Sequence, residues 1–151
     1  MLENRSQPHS RAGGQRGAKR DVHSRLVAIV DDDADIRDAV RDVLEEQGYE
    51  TIEASDGREA LEMLRQAERK PDLVLLDLMM PTMDGWQLRG RLREDPALAA
   101  IPIVIMTAHA GVLRAVSTAK PETRVLPKPL DSDRLLEMVA SCCEETQRKN
   151  Q

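Results

Sequence analysis

The sequence predicts an α/β domain: a doubly wound, five-stranded, mainly parallel sheet with helices on both faces. Two observations carry this. From Leu26 onward, short apolar runs alternate with segments of helical periodicity, five of each. Most of the short runs are apolar throughout, as strands covered on both faces must be.

"LVAIV" (26–30) is the first such run. Residues 35–47 then place Ile36, Ala39, Val40, Val43 and Leu44 at helical spacing, and Gly48 ends that helix. "ETIEA" (50–54) alternates weakly and predicts a second strand, followed by a helix over 57–68 through Ala60, Leu61 and Leu64. "LVLL" (73–76) is the third strand and 85–94 the third helix. "IPIVIM" (101–106) is the fourth strand, with a short helix over 112–119 that Pro121 stops. "RVL" (124–126) is the fifth strand, and 131–147 a last amphipathic helix through Leu135, Leu136, Val139 and Ala140.

Composition bounds the function. Phe is absent and Trp86 and Tyr49 are the only aromatics, which excludes aromatic stacking platforms for single-stranded nucleic acid. Residues 1–25 carry six basic residues against two acidic ones, and the remaining residues carry 16 basic against 25 acidic. An acidic domain behind a basic tail does not fit a nucleic-acid binder. The division expected is a disordered basic tail over 1–24, one domain over 25–147 and a short tail over 148–151. No apolar stretch reaches the roughly 18 residues of a membrane span, and the N-terminus lacks a signal peptide's apolar middle. Cys142 and Cys143 are adjacent and read as two buried or half-buried thiols in a reducing cytoplasm.

In open α/β sheets, ligands bind beyond the carboxyl ends of the strands. Strand one ends in Asp31-Asp32-Asp33, strand three in Asp77, strand four in Thr107-Ala108, and strand five leads to Lys128. Asp31, Asp32 and Asp77 converging on one rim would repel one another unless their pKa values rise or a cation sits between them. Carboxylate oxygens with room for water suit Mg²⁺. Lys128 offers a compact charge for a phosphate and Thr107 a hydroxyl donor. Acids, a cation and phosphate-directed donors together make a phosphoryl-transfer site with a carboxylate as acceptor. Asp33 and Asp35 read more simply as helix-capping charge.

These residues resemble the response-regulator receiver domain of two-component signalling, in the manner of single-domain chemotaxis-type regulators. "IVDDDADIR" (29–37), "LLDLMMPTMDG" (75–85), "IPIVIMTAHA" (101–110) and "VLPKPLD" (125–131) are similar to its signature segments, and the resemblance covers residues 26–147. It implies a flavodoxin-like sheet of strand order 2-1-3-4-5. It implies that Asp77 is the phosphoacceptor, which attacks the phosphohistidine of a sensor histidine kinase or a histidine phosphotransfer protein. Asp31 and Asp32 are then the acids that hold Mg²⁺, with Asp77 and the Met79 backbone carbonyl completing the protein ligands. Thr107 and the Ala108 N–H bind phosphoryl oxygens, Lys128 pairs with the phosphoryl group, and Pro129 is expected to follow a cis peptide. Output through the face of helix four, strand five and helix five is implied, from a monomer or weak homodimer.

Val125 stands where many receivers carry Tyr or Phe, and the segment 119–124, "AKPETR", lacks the turn common in the family, so an altered output is expected. With no output segment after residue 147, the leading reading is a stand-alone, cytoplasmic phosphoacceptor rather than an enzyme in its own right, although self-catalysed phosphotransfer and dephosphorylation belong to such a site. Two others stay open: a phosphatase of the haloacid-dehalogenase type using Asp31 in its D-x-D, and a docking module that works without phosphorylation. His109 near the site mouth, Met79, Met80 and Met83 as packing or rim residues, and Trp86 at a helix start have simpler explanations.

Overall fold

The computed structural model describes residues 24–119 and 123–149. The basic tail expected over 1–24 lies, all but Ser24, outside the described residues. The elements follow one another as β1 (Leu26–Val30), α1 (Ala34–Glu46), β2 (Glu50–Ala54), α2 (Gly57–Gln66), β3 (Leu73–Asp77), α3 (Gly85–Glu94), β4 (Ile103–Thr107), α4 (Ala110–Ala119), β5 (Arg124–Pro127) and α5 (Ser132–Lys149). The five strands form one parallel sheet in the order β2-β1-β3-β4-β5.

Strand alternation divides the core in two. Val27 and Ile29 of β1, with Leu73 and Leu75 of β3, point to the face covered by α1 and α5, where they meet Val40, Leu44, Leu135 and Val139. Ala28 and Val30, with Val74 and Leu76, point to the other face and meet Ala60 and Leu64 of α2 and Leu88 and Leu92 of α3. Leu73 to Leu76 are fully buried, and each contributes about 1.5–3 kcal/mol by leaving water. Cys142 and Cys143 are buried free thiols inside the first layer, and burial pushes the Cys143 thiol up to about 12. They are packing residues.

Several boundaries differ from the periodicity, two of them for a clear local reason. Strand β4 begins at Ile103 because Pro102 has no N–H for the ladder; its carbonyl instead accepts from Val74 N at 3.0 Å. Helix α2 stops at Gln66, where Ala67 turns extended and Lys70 Nζ donates to the carbonyls of Leu64, Arg65 and Ala67. Helix α4 starts two residues earlier than 112, and α5 runs on through Arg148 and Lys149. Strand β3 includes Asp77, paired with Met106, so this acid belongs to the sheet itself.

The helix starts hold the C-terminal rim in place. Asp33 caps α1 by accepting from Asp35 N and Ile36 N, Asp56 caps α2, and Asp84 with Gln87 makes a capping box on α3. Gly85 lets α3 begin directly against β3: a Cβ there would lie 2.6 Å from the Asp77 carbonyl oxygen and 2.8 Å from Leu78 Cα. Backbone occupies that space and cannot yield.

Thr82, in the loop between β3 and α3, has φ of 69°, a left-handed conformation costly for a β-branched residue. Thr82→Asn is expected to raise stability by about 1 kcal/mol, since Asn tolerates this region at far less steric cost. The urea midpoint with an unchanged denaturant slope checks it.

Candidate functional site

Parallel pairing brings the carboxyl ends of β1, β3, β4 and β5 to one edge, and the polar residues at those ends meet there. Asp31, the first residue beyond β1, is fully buried, and Asp77, the last of β3, is 4% exposed. Asp32 is exposed beside them. One carboxylate oxygen from each of Asp31, Asp32 and Asp77 lies within 4.8 Å of the other two.

Lys128, following β5, reaches into this group. Its Nζ is 2.7 Å from Asp31 Oδ2 and 3.5 Å from Asp77 Oδ1. Strand β5 sets its reach, since Lys128 N donates to the Thr107 carbonyl at 2.8 Å, and the following Lys128–Pro129 peptide is cis. Asp31 Oδ1 accepts from Asp33 N at 2.9 Å, so both oxygens of the Asp31 carboxylate are engaged. Asp77 Oδ1 accepts from Met79 N at 3.2 Å.

Three carboxylates against one ammonium leave an excess of two negative charges if all are ionised. The Asp77 carboxyl registers it: burial first, then the negative charge of Asp31, raise its pKa to about 6, and Lys128 offsets only part of that. A donor set of hard oxygens with surplus negative charge fits a divalent cation of the Mg²⁺ class.

The remaining predicted residues lie on the same edge. Thr107 ends β4 fully buried, its Oγ1 accepting from His109 N at 3.2 Å. Ala108 and His109 follow it on the exposed rim. Met79 is 58% exposed beside Asp77, whereas Met80 packs into the core beneath. Trp86 is exposed at the second residue of α3, with the Arg89 guanidinium 5.7 Å from its ring centre. Val125, which carries no ring, lies half-buried on β5 opposite Ile105.

One contact has no counterpart in the motif reading. Arg37 on α1 donates from Nη1 to the Asp31 carbonyl at 2.6 Å. In the sequence Arg37 closes the segment "IVDDDADIR" (29–37), one helical turn after the Asp33 cap, and nothing local marks it as a partner of Asp31.

Comparison with known proteins now places the chain. The sequence profile of the response regulator receiver domain matches residues 27–140. The chain is 34% identical over 117 residues to the polar-differentiation response regulator DivK of Brucella anthropi, covering 76% of this chain and 93% of DivK. It is 42% identical over 84 residues to the phosphate regulon transcriptional regulatory protein PhoB of Pseudomonas aeruginosa, covering 56% of this chain but only 36% of PhoB. Among solved structures, the chemotaxis response regulator CheY4 of Vibrio cholerae superposes with a TM-score of 0.70 at 30% identity, over 80% of this chain and 99% of that one. This chain belongs to the response regulator receiver domain family. Receiver domains are in general phosphoacceptors that work with histidine kinases or phosphotransfer proteins, and the phosphatase reading on Asp31 finds no support here. Among the described residues, no helix is long and apolar enough to cross a membrane.

The folded protein holds the Asp77 proton to about pH 6, against an ordinary value of 3.8. Asp77's contribution to the metal-free fold is therefore most favourable below the ordinary value, falls as pH rises through that window, and is lost above it. Asp77→Asn should stabilise the metal-free protein above pH 6 by up to about 3 kcal/mol, with the difference shrinking towards the acid end. Urea unfolding in chelator across that pH range measures it.

Proposed function

We propose that this chain accepts a phosphoryl group on Asp77 in a Mg²⁺-dependent transfer from a histidine kinase or phosphotransfer protein, and signals through phosphorylation-dependent protein contact. The observation that carries this is the buried Asp77 carboxylate at the end of β3, set within one cluster with Asp31 and Asp32 and addressed by Lys128 at 3.5 Å.

The roles are those that the family resemblance implies, and the clustering of Asp31, Asp32, Asp77 and Lys128 supports them. An Asp77 carboxylate oxygen attacks the phosphorus of the donor's phosphohistidine; the new P–O bond forms as the P–N bond breaks, and the imidazole leaves with the electron pair. Asp77 must be ionised for this, and its raised pKa of about 6 still leaves it mostly ionised at neutral pH. Asp31, Asp32, Asp77 and the Met79 carbonyl are the groups that would hold Mg²⁺. The ion supplies neutralisation of negative charge on the acceptor and on the incoming oxygens.

Lys128 is already ion-paired to Asp31 and within range of Asp77, so it is placed to follow new negative charge on Asp77. The Thr107 hydroxyl and the Ala108 N–H, at the end of the neighbouring strand, are the donors for phosphoryl oxygens. The modification adds close to two negative charges at the junction of β3, β4 and β5. Drawing Thr107 and Lys128 towards it would move the connections into α4 and α5, which biases the α4–β5–α5 face between two arrangements. With Val125 on β5, that readout proceeds without an aromatic side chain changing place.

Incubation with a small phosphodonor and Mg²⁺ tests the reading by intact-protein mass. A single acid-stable, base-labile phosphoryl adduct is expected on the wild type, absent from Asp77→Asn and absent with chelator. An adduct retained by Asp77→Asn would overturn Asp77 as acceptor. Lys128→Ala is expected to cut the signalling response, read as binding of the phosphorylated protein to its partner, while leaving some adduct on Asp77.

A further inference from the structure

Arg37 supplies none of the groups the transfer chemistry requires, yet it is bonded to the backbone of one residue that does. Its Nη1 donates to the Asp31 carbonyl at 2.6 Å, and its Nε lies 3.6 Å from Glu53 Oε1 on β2. Glu53 Oε2 in turn lies 3.4 Å from Arg41 Nη1, so one carboxylate bridges two arginines a helical turn apart on α1. The Arg37 side chain is only 19% exposed, which shields these contacts from water. A guanidinium can address a carbonyl and a carboxylate at once because its donors form a fixed planar fork.

The position of that carbonyl matters. Val30 is the last residue of β1 paired in register to β2 and β3; Asp31 N still donates to the Ala54 carbonyl at 3.2 Å, while its own carbonyl is the group that Arg37 holds. The Asp31 backbone is the base from which a fully buried carboxylate enters the acidic cluster. Arg37 ties that base to α1 and, through Glu53, adds a second link to β2 beside the direct Asp31 N–Ala54 carbonyl bond.

We propose that Arg37 is a positioning residue for the acidic cluster. By holding the Asp31 carbonyl it fixes the direction of the Asp31 carboxylate, and thereby sets the cluster's affinity for a divalent cation. This rests on the reading that Asp31, Asp32 and Asp77 hold Mg²⁺. The sign of the effect separates positioning from charge. Arg37 is a cation beside a cation site, so if its charge alone mattered, removing it would tighten Mg²⁺ binding. Positioning predicts the reverse.

Calorimetric titration with Mg²⁺ of the folded wild type, Arg37→Ala, Arg37→Lys and Glu53→Gln tests this, alongside urea unfolding of each. Arg37→Ala is expected to bind Mg²⁺ about tenfold more weakly, the usual scale when a group orienting a metal ligand is lost. Arg37→Lys keeps one donor for the carbonyl and should recover part of that loss; Glu53→Gln should lose several-fold. If Arg37→Ala does not fold, Arg37→Lys carries the test because it keeps the charge: several-fold weaker Mg²⁺ binding supports the role, and affinity equal to wild type overturns it. Binding by Arg37→Ala equal to or tighter than wild type, or a lowered unfolding midpoint with unchanged affinity, overturns the role of Arg37 alone. Absence of Mg²⁺ binding by the wild type overturns the metal reading together with it.

Discussion

Surplus negative charge, enclosed at the carboxyl edge of a parallel sheet, is the constraint on which this structure turns. A buried carboxylate costs several kcal/mol unless it is paired. Here Lys128 is the one cationic side chain in ion-pair contact with Asp31 or Asp77 among the described residues, shared at 2.7 and 3.5 Å. Burial and then the remaining imbalance raise the pKa of Asp77, and the surplus charge makes the cluster receptive to a divalent cation. A site that is electrostatically dissatisfied when empty stores a preference for whatever neutralises it.

Much of the surrounding architecture holds that imbalance in place. Fully buried Leu73 to Leu76 carry Asp77 to the rim on a strand that has little freedom to retreat. Gly85 brings the start of α3 onto the backbone of Asp77 itself, and the Asp84–Gln87 box closes that helix end. Asp33, adjacent to the acidic pair, is occupied in capping α1 and donates its own N–H to Asp31. Acids of one local run thus divide between holding the helix and facing the site, and the division is made by backbone geometry.

The other side of the site is held less tightly. Thr107 and Lys128 are linked by a backbone hydrogen bond between the ends of β4 and β5, and β5 is an edge strand. An edge strand of four residues, half-buried at Arg124, Val125 and Pro127, has fewer contacts to lose than β3 does. On the proposed reading, rigidity beneath Asp77 and compliance around Lys128 are the combination that would convert a local change of charge into movement of a surface. With Val125 on β5, that proposed conversion would depend on backbone and lysine rather than on a ring.

The sequence by itself determined the order of elements, the two-sided sheet and the set of polar residues delivered to one rim. It could do so because periodicity is local and parallel strands bring all their carboxyl ends to the same edge. It also marked Asp33 as a cap and the cysteine pair as buried or half-buried thiols, since both follow from immediate neighbours. Tertiary structure decided what spacing cannot carry. That Lys128 chooses Asp31 over Asp77, that Pro102 delays β4, and that Arg37 holds the Asp31 carbonyl each depend on the three-dimensional meeting of segments or on which hydrogen bonds remain to be made. A motif names the groups that arrive; only packing settles which of them touch, and the energy of a charge depends on what it touches.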